Sequence, residues 1–139
     1  MATGALIIAR ALKPDLPIFG VQAERAAAVH DSWRAKKPIS KPTADTFADG
    51  LATRHAYRFT FEALCEGLTD FVTVTEAEIA EAVRLYLFKT HNLAEGAGAA
   101  GLAGLMKLRK RLANKTVAVV LSGSNIDEQT LLRVVNRKI

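Results

Sequence analysis

Two short stretches of this sequence carry residue types from which a ligand site can be built. The first is EGAGAAG, residues 95–101, which sets Gly96, Gly98 and Gly101 at the spacing G-x-G-x-x-G beside an acidic Glu95. The second is LSGSN, residues 121–125, a small polar turn at the end of an apolar run. A G-x-G-x-x-G loop holds a pyrophosphate when a strand feeds into it and a helix leaves it. Here the preceding segment, TEAEIAEAVRLYLFKTHN, reads as a helix instead. Thr75 is its N-cap and Glu78 completes a capping box. Ile79, Val83, Tyr86, Leu87 and Thr90 share one face at helical spacing. No acidic residue follows roughly twenty positions on to hold a ribose; that region is KTVAVVL. The glycines therefore do not read as a dinucleotide loop. Two readings stay open: small residues that let a helix pack closely, or a different ligand pocket bordered by Glu95.

The second stretch lies beyond the carboxyl end of a predicted strand, where open α/β sheets bind their ligands. A serine hydroxyl at 122 can donate or accept, and Gly123 admits a ligand to the backbone. An ordinary strand-to-helix connection, with Asn125 or Asp127 as helix cap, fits the same pattern.

Both stretches need elements to position them. Residues 2–13 are expected to be a helix, and KPDLP a turn punctuated by Pro14 and Pro17. Ile18–Gln22 reads as a strand and Glu24–Lys37 as a helix with Ala26, Val29 and Trp33 along one side. A loop with Pro38, Pro42 and Gly50 follows. A helix over RHAYRFTFEALCEGL ends at Gly67. DFVTVT is a strand, and residues 76–91 form the capped helix. A glycine-rich helix runs from about residue 96 to 113. TVAVVLS is a strand, apolar on consecutive residues as when both faces are covered. DEQTLLRVVNRK closes as a helix. Strands alternating with helices predict an α/β fold: a mostly parallel sheet flanked by helices.

The 139 residues, 50% hydrophobic and 24% charged, suffice for one ordered core. No apolar run reaches a membrane span, and the first residues, which include Arg10, read as a helix and not a signal peptide. One cysteine, Cys65, cannot form an internal disulfide; a cytoplasmic setting is expected. The net charge of +5 invites a nucleic-acid reading. The basic residues, however, gather at predicted helix C-termini, where they complement the dipole: Lys107, Arg109, Lys110, Arg111 and Lys115, then Arg133, Arg137 and Lys138. No aromatic residues interleave with them as a single-strand binder requires. Neither nucleic acid nor membrane is expected as a partner.

Five ordered motifs, LKPDLPIFGVQAE, TFADGLA, DFVTVTEAEIAEAV, EGAGAAG and VVLSGSNID, are spread along nearly the whole chain. Together they resemble the C-terminal part of the pyridoxal-phosphate-dependent serine/threonine dehydratases and serine racemases, of the tryptophan-synthase-β fold type (fold type II). The resemblance implies that residues 1–139 are a single domain, the C-terminal portion of the large domain of such an enzyme. It implies cofactor-binding roles by position. Ser122 is matched to the residue that hydrogen-bonds the pyridine nitrogen, with Gly123 beside it. Gly50 is matched to backbone lining one side of the ring, and Glu95 to the acidic residue bordering the same pocket. Ser124 replaces the second glycine usual in the turn. Where metal-binding relatives carry two acidic ligands, this chain has Gln22 and Ala28, so no metal is expected; His30 and Asp31 nearby read as helix surface. The lysine that forms the imine with pyridoxal phosphate, and the Gly-rich phosphate loop, match nothing here, so no catalytic residue is assigned in this chain. The implied function is a threonine/serine ammonia-lyase that forms a 2-oxo acid and ammonia from an amino-acid substrate. The alternative is a non-catalytic fragment or interaction subunit. A homodimer or a complementary N-terminal chain is the expected partner. It would cover apolar faces expected at Leu6 and Ile7, at the FTFEAL helix and around Val74 and Val119.

Overall fold

Parallel strands cannot be joined by a tight turn; they need a crossover. In the computed structural model, which describes residues 1–139, that crossover occupies the chain from residue 24 to 69. The chain opens with α1 (Ala2–Leu12) and enters β1 (Phe19–Ala23). A 3₁₀ turn (Glu24–Ala26) and α2 (Ala28–Ala35) follow, then a long loop with a second 3₁₀ turn (Asp49–Leu51). Helix α3 (Arg58–Gly67) returns the chain to β2 (Asp70–Val74). The two strands pair in parallel with Phe19 opposite Asp70 and Ala23 opposite Val74.

Alternating side chains give this small sheet two covered faces. On one, Phe71 joins Leu6, Leu64 and Leu68, so α1 and α3 close over β2. Trp33 adds an edge-on contact with Phe71 and donates its indole N–H to the Leu64 carbonyl at 3.0 Å. The other face belongs to α4 (Glu76–Thr90), α5 (Gly96–Leu108) and α6 (Glu128–Val135). There Ala23, Val74, Ile79, Val83, Ala99, Ala103 and Val134 form the larger core. Helix α5 approaches the sheet closely because Gly104 has no side chain: a Cβ there would lie 2.5 Å from Val21 Cγ2.

The predicted capping box is present. Thr75 Oγ1 accepts from Glu78 N at 3.1 Å, and Glu78 Oε2 accepts from Thr75 N at 2.7 Å. Asp127, not Asn125, caps α6, with Thr130 N donating to Asp127 Oδ1 at 2.9 Å. Several boundaries move. β1 is shifted one residue on, the helix expected over 24–37 splits into a 3₁₀ turn and α2, and α3 begins at Arg58. Helix α5 ends at Leu108, and turns run on to Asn114.

The main correction concerns TVAVVLS. Residues 116–122 are not a strand and are not covered on both faces. They are largely exposed, with Val120 at 59%. β1 and β2 pair only with each other, so this segment has no ladder partner, and strand propensity cannot replace one. It rests on α5 instead: a Cβ at Gly101 would lie 3.0 Å from Val119 Cγ1. Two of the basic residues at the end of α5 and just beyond it are paired. Arg111 pairs with Asp70 and stands over the Phe19 ring, and Lys107 reaches Glu78 at 3.4 Å. No helix is long and apolar enough to cross a membrane.

Candidate functional site

Helix α5 needs its first amides satisfied, and Glu95 occupies its N-cap position in extended conformation. Yet the Glu95 side chain does not cap its own helix. It turns to the SGSN stretch, where Oε2 accepts from Asn125 N at 3.0 Å. The Glu95 backbone N–H donates to the Gly123 carbonyl at 3.0 Å. Two hydrogen bonds thus clamp residues 123–125 onto the start of α5.

The clamp works only because of glycines. A Cβ at Gly123 would meet Glu95 Oε1 at 2.5 Å, and a Cβ at Gly98 would meet the Gly123 carbonyl oxygen at 2.6 Å and its nitrogen at 3.0 Å. Neither glycine has a positive φ, so what they supply is space, not a left-handed backbone. Ser124, which departs from the usual glycine, is exposed.

Gly50 enters from the other side. A Cβ there would lie 2.9 Å from Ala97 Cβ and 4.0 Å from Glu95 Oε1. The loop leading to it seats Phe47 and Ala48 against Gly96, whose Cβ position is 2.8 Å from the Phe47 ring. Gly50, Glu95 and Gly123 are therefore brought together around one carboxylate. A cleft of about 100 Å³ opens there, lined among others by Phe47, Asp49, Glu95, Asn125 and Asp127. Asp127 titrates below the ordinary carboxylate range because Thr130 hydrogen-bonds it through both side chain and backbone. Ser122 is exposed at the edge of this group. Sequence reasoning gave Asn125 only a capping role. Its contribution is a backbone N–H, which leaves no signature in residue type.

Gln22 and His30 form a separate cluster. Gln22 is buried, donates through Nε2 to Thr53 Oγ1 at 3.0 Å, and accepts from His30 N at 2.8 Å. His30 and Asp31 are not plain helix surface. The His30 ring packs edge-on against Phe71 and lies 2.9 Å from Asp31 Oδ1. Asp31 also pairs with Lys41 at 2.6 Å, and that hydrogen bond leads in holding its carboxyl below the usual range, opposed by burial.

Parallel strands joined by a helical crossover, with glycine-walled backbone packed at the start of a small-residue helix, define an α/β protein in which bare backbone from three segments meets at the start of α5. Residues 1–123 match the family model described as "Pyridoxal-phosphate dependent enzyme", and the chain belongs to that family. An L-threonine ammonia-lyase from Geobacter sulfurreducens is 38% identical over 138 residues, covering 99% of this chain and 34% of that protein. The crystal structure of a T.th. threonine deaminase superposes with a TM-score of 0.85 at 32% identity, over 91% of this chain and 42% of that one. The processed form of threonine deaminase isoform 2 from Solanum lycopersicum gives a TM-score of 0.91 at 26% identity, over 97% of this chain and 38% of that one. The fold is thus one found within fold type II pyridoxal-phosphate-dependent enzymes, and the chain spans under half the length of these relatives.

Proposed function

We propose that this chain forms the ring-side wall of the cofactor site in a pyridoxal-phosphate-dependent ammonia-lyase acting on threonine or serine. The rest of the site comes from a segment, absent from these 139 residues, that carries the imine-forming lysine and the phosphate loop. The observation that carries this reading is the convergence of Gly50 and Gly123 on either side of Glu95. A Cβ at Gly50 would press on Ala97 and one at Gly123 on Glu95, so the two glycines let three chain segments close around this carboxylate. These residues suit the group: Gly50, Gly123 and Glu95 would border it and Ser122 would meet its pyridine nitrogen, the roles the family resemblance implies. Pyridoxal phosphate, when bound, supplies the electron sink for charge developed at the substrate α-carbon. The Ser122 hydroxyl would donate one hydrogen bond to that nitrogen and keep its proton, which suits a neutral ring nitrogen. Glu95 holds the turn that follows Ser122 through Asn125 N.

The test is complementation. The chain alone is expected to release no 2-oxo acid from threonine or serine, and to do so when mixed with an N-terminal segment of a family member that bears the lysine. Well-folded mixtures that bind no pyridoxal phosphate would overturn the proposal. In the complemented enzyme, Ser122→Ala should lower turnover about tenfold, as loss of one hydrogen bond of roughly 1–3 kcal/mol implies. The exposed position of Ser122 leaves folding unaffected. Unchanged kinetics would remove Ser122 from the ring nitrogen. Borohydride reduction of the isolated chain with pyridoxal phosphate should give scattered, substoichiometric lysine adducts by mass spectrometry. A single saturable adduct at one lysine would show that the chain carries its own imine-forming residue.

A further inference from the structure

Among the buried side-chain nitrogen and oxygen atoms, Glu76 Oε1 alone has no hydrogen-bond partner. Leaving such an oxygen bare is costly, so the other half of this carboxylate must be held in place by something specific. Glu76 Oε2 accepts from Thr46 Oγ1 and from Phe47 N, both at 3.0 Å. Thr46 Oγ1 in turn accepts from Ala48 N at 3.1 Å. Ala48 is fully buried, and its Cα lies 2.9 Å from the Cβ position of Gly96 at the start of α5. Glu76 is the first residue of α4, where the helix dipole favours negative charge. A carboxylate serving only that dipole could stay in water; this one reaches across to a loop 29 and 30 residues earlier in the chain.

We propose that Glu76 is a positioning residue for the cofactor wall. It fixes the Thr46–Gly50 loop, and with it the Gly50 backbone, against the N-terminus of α5. The proposal rests on the assignment of Gly50, Glu95 and Gly123 to that wall. Glu76 acts on that wall through Thr46, Phe47 and Ala48. What the loop requires of Glu76 is an acceptor oxygen at the Oε2 position. A glutamine amide keeps that oxygen toward the loop and places its N–H₂ where Oε1 now lies bare.

Amide hydrogen exchange on the whole chain, followed by NMR, tests this. In Glu76→Ala the amides of Phe47, Ala48 and Asp49 should exchange about tenfold faster, the effect of losing a hydrogen bond at a locally opening segment. The amides of β1 and β2 should keep their protection. Glu76→Gln should restore most of the loop protection, because it restores the acceptor. Unchanged exchange at residues 47–49, or equal acceleration throughout the chain, would overturn the proposal. If Glu76→Ala does not fold, Thr46→Val removes the hydroxyl that links Glu76 to Ala48, and the Ala48 amide should then exchange faster; an unaltered Ala48 would overturn the role just as well. A second arm titrates pyridoxal phosphate into the chain complemented with the lysine-bearing N-terminal segment and follows the amide signals of Gly50, Glu95 and Gly123. Weaker shifts in Glu76→Ala than in the unaltered chain support transmission to the wall. No shifts even in the unaltered chain would refute the wall, while the exchange data still decide whether Glu76 holds the loop.

Discussion

Gly98→Val is expected to destabilise the chain by about 1–3 kcal/mol, the range for overpacking a closed contact. Its neighbour is backbone and cannot rotate away: the Cβ position lies 2.6 Å from the Gly123 carbonyl oxygen and 3.0 Å from its nitrogen. Relief requires the 123–125 turn to lift off α5, which breaks the hydrogen bonds from Glu95 N to Gly123 and from Asn125 N to Glu95. The effect should therefore fall on stability and on the proposed cofactor wall together. Gly4→Ala is the control. Gly4 lies in α1 with nothing within 4 Å of its Cβ position, and alanine there should stabilise by about 0.5–1 kcal/mol through helix propensity. Urea midpoints of the two variants should move in opposite directions. A Gly98→Val midpoint equal to that of the unaltered chain would show that the turn does not depend on this contact.

The second large effect is expected in solution mass. The isolated 15.0 kDa chain should self-associate to about twice that mass, because a two-fold dimer is the commonest way to cover apolar surface. The exposed surface is not quite where the sequence places it. Leu6 and Val74 are buried, Leu6 against α3 and Val74 in the larger core. Ile7, Ile8 and Leu12 of α1 and Phe59 of α3 remain open, with Leu12 at 81% and Phe59 at 89% exposure. Helices α1 and α3 pack on each other through Leu6 and Leu64, so these side chains belong to one part of the molecule. Val117, Val120 and Leu121 add a separate exposed run outside any strand ladder. Sedimentation over a dilution series at moderate salt, which screens the +5 charge, measures the mass. A monomer at every concentration would show that these faces need no partner, and would weigh against a chain completed by other polypeptide.

Legibility differed from element to element. The capping box at Thr75 was readable because both partners lie within one turn, and nothing distant can easily compete with hydrogen bonds that close over three residues. The absence of a dinucleotide loop followed from the same helix, which precedes Glu95 where a strand would have to be. The close packing of α5 was open as one of two readings, and the structure supplies its partners: Phe47 and Ala48 for Gly96, Gly123 for Gly98, Val119 for Gly101 and Val21 for Gly104. The family resemblance grouped Gly50, Glu95 and Gly123, and the fold brings them within a few ångströms of one carboxylate.

The features that residue order alone could specify are local: periodicity, caps, glycine positions and the succession of motifs, each set by residues within a turn or two of one another. Contacts between distant segments govern the others. TVAVVLS has the composition of a buried strand, but a strand exists only beside another, and none adjoins it here. Glu95 has the position of a helix cap, but its carboxylate bonds Asn125, 30 residues away. Glu76 stands in the first turn of α4, where the dipole alone would favour an acid, yet it grips Thr46 and Phe47. In each case the energy depends on which distant group the fold presents, and residue type and spacing along the chain do not carry that information.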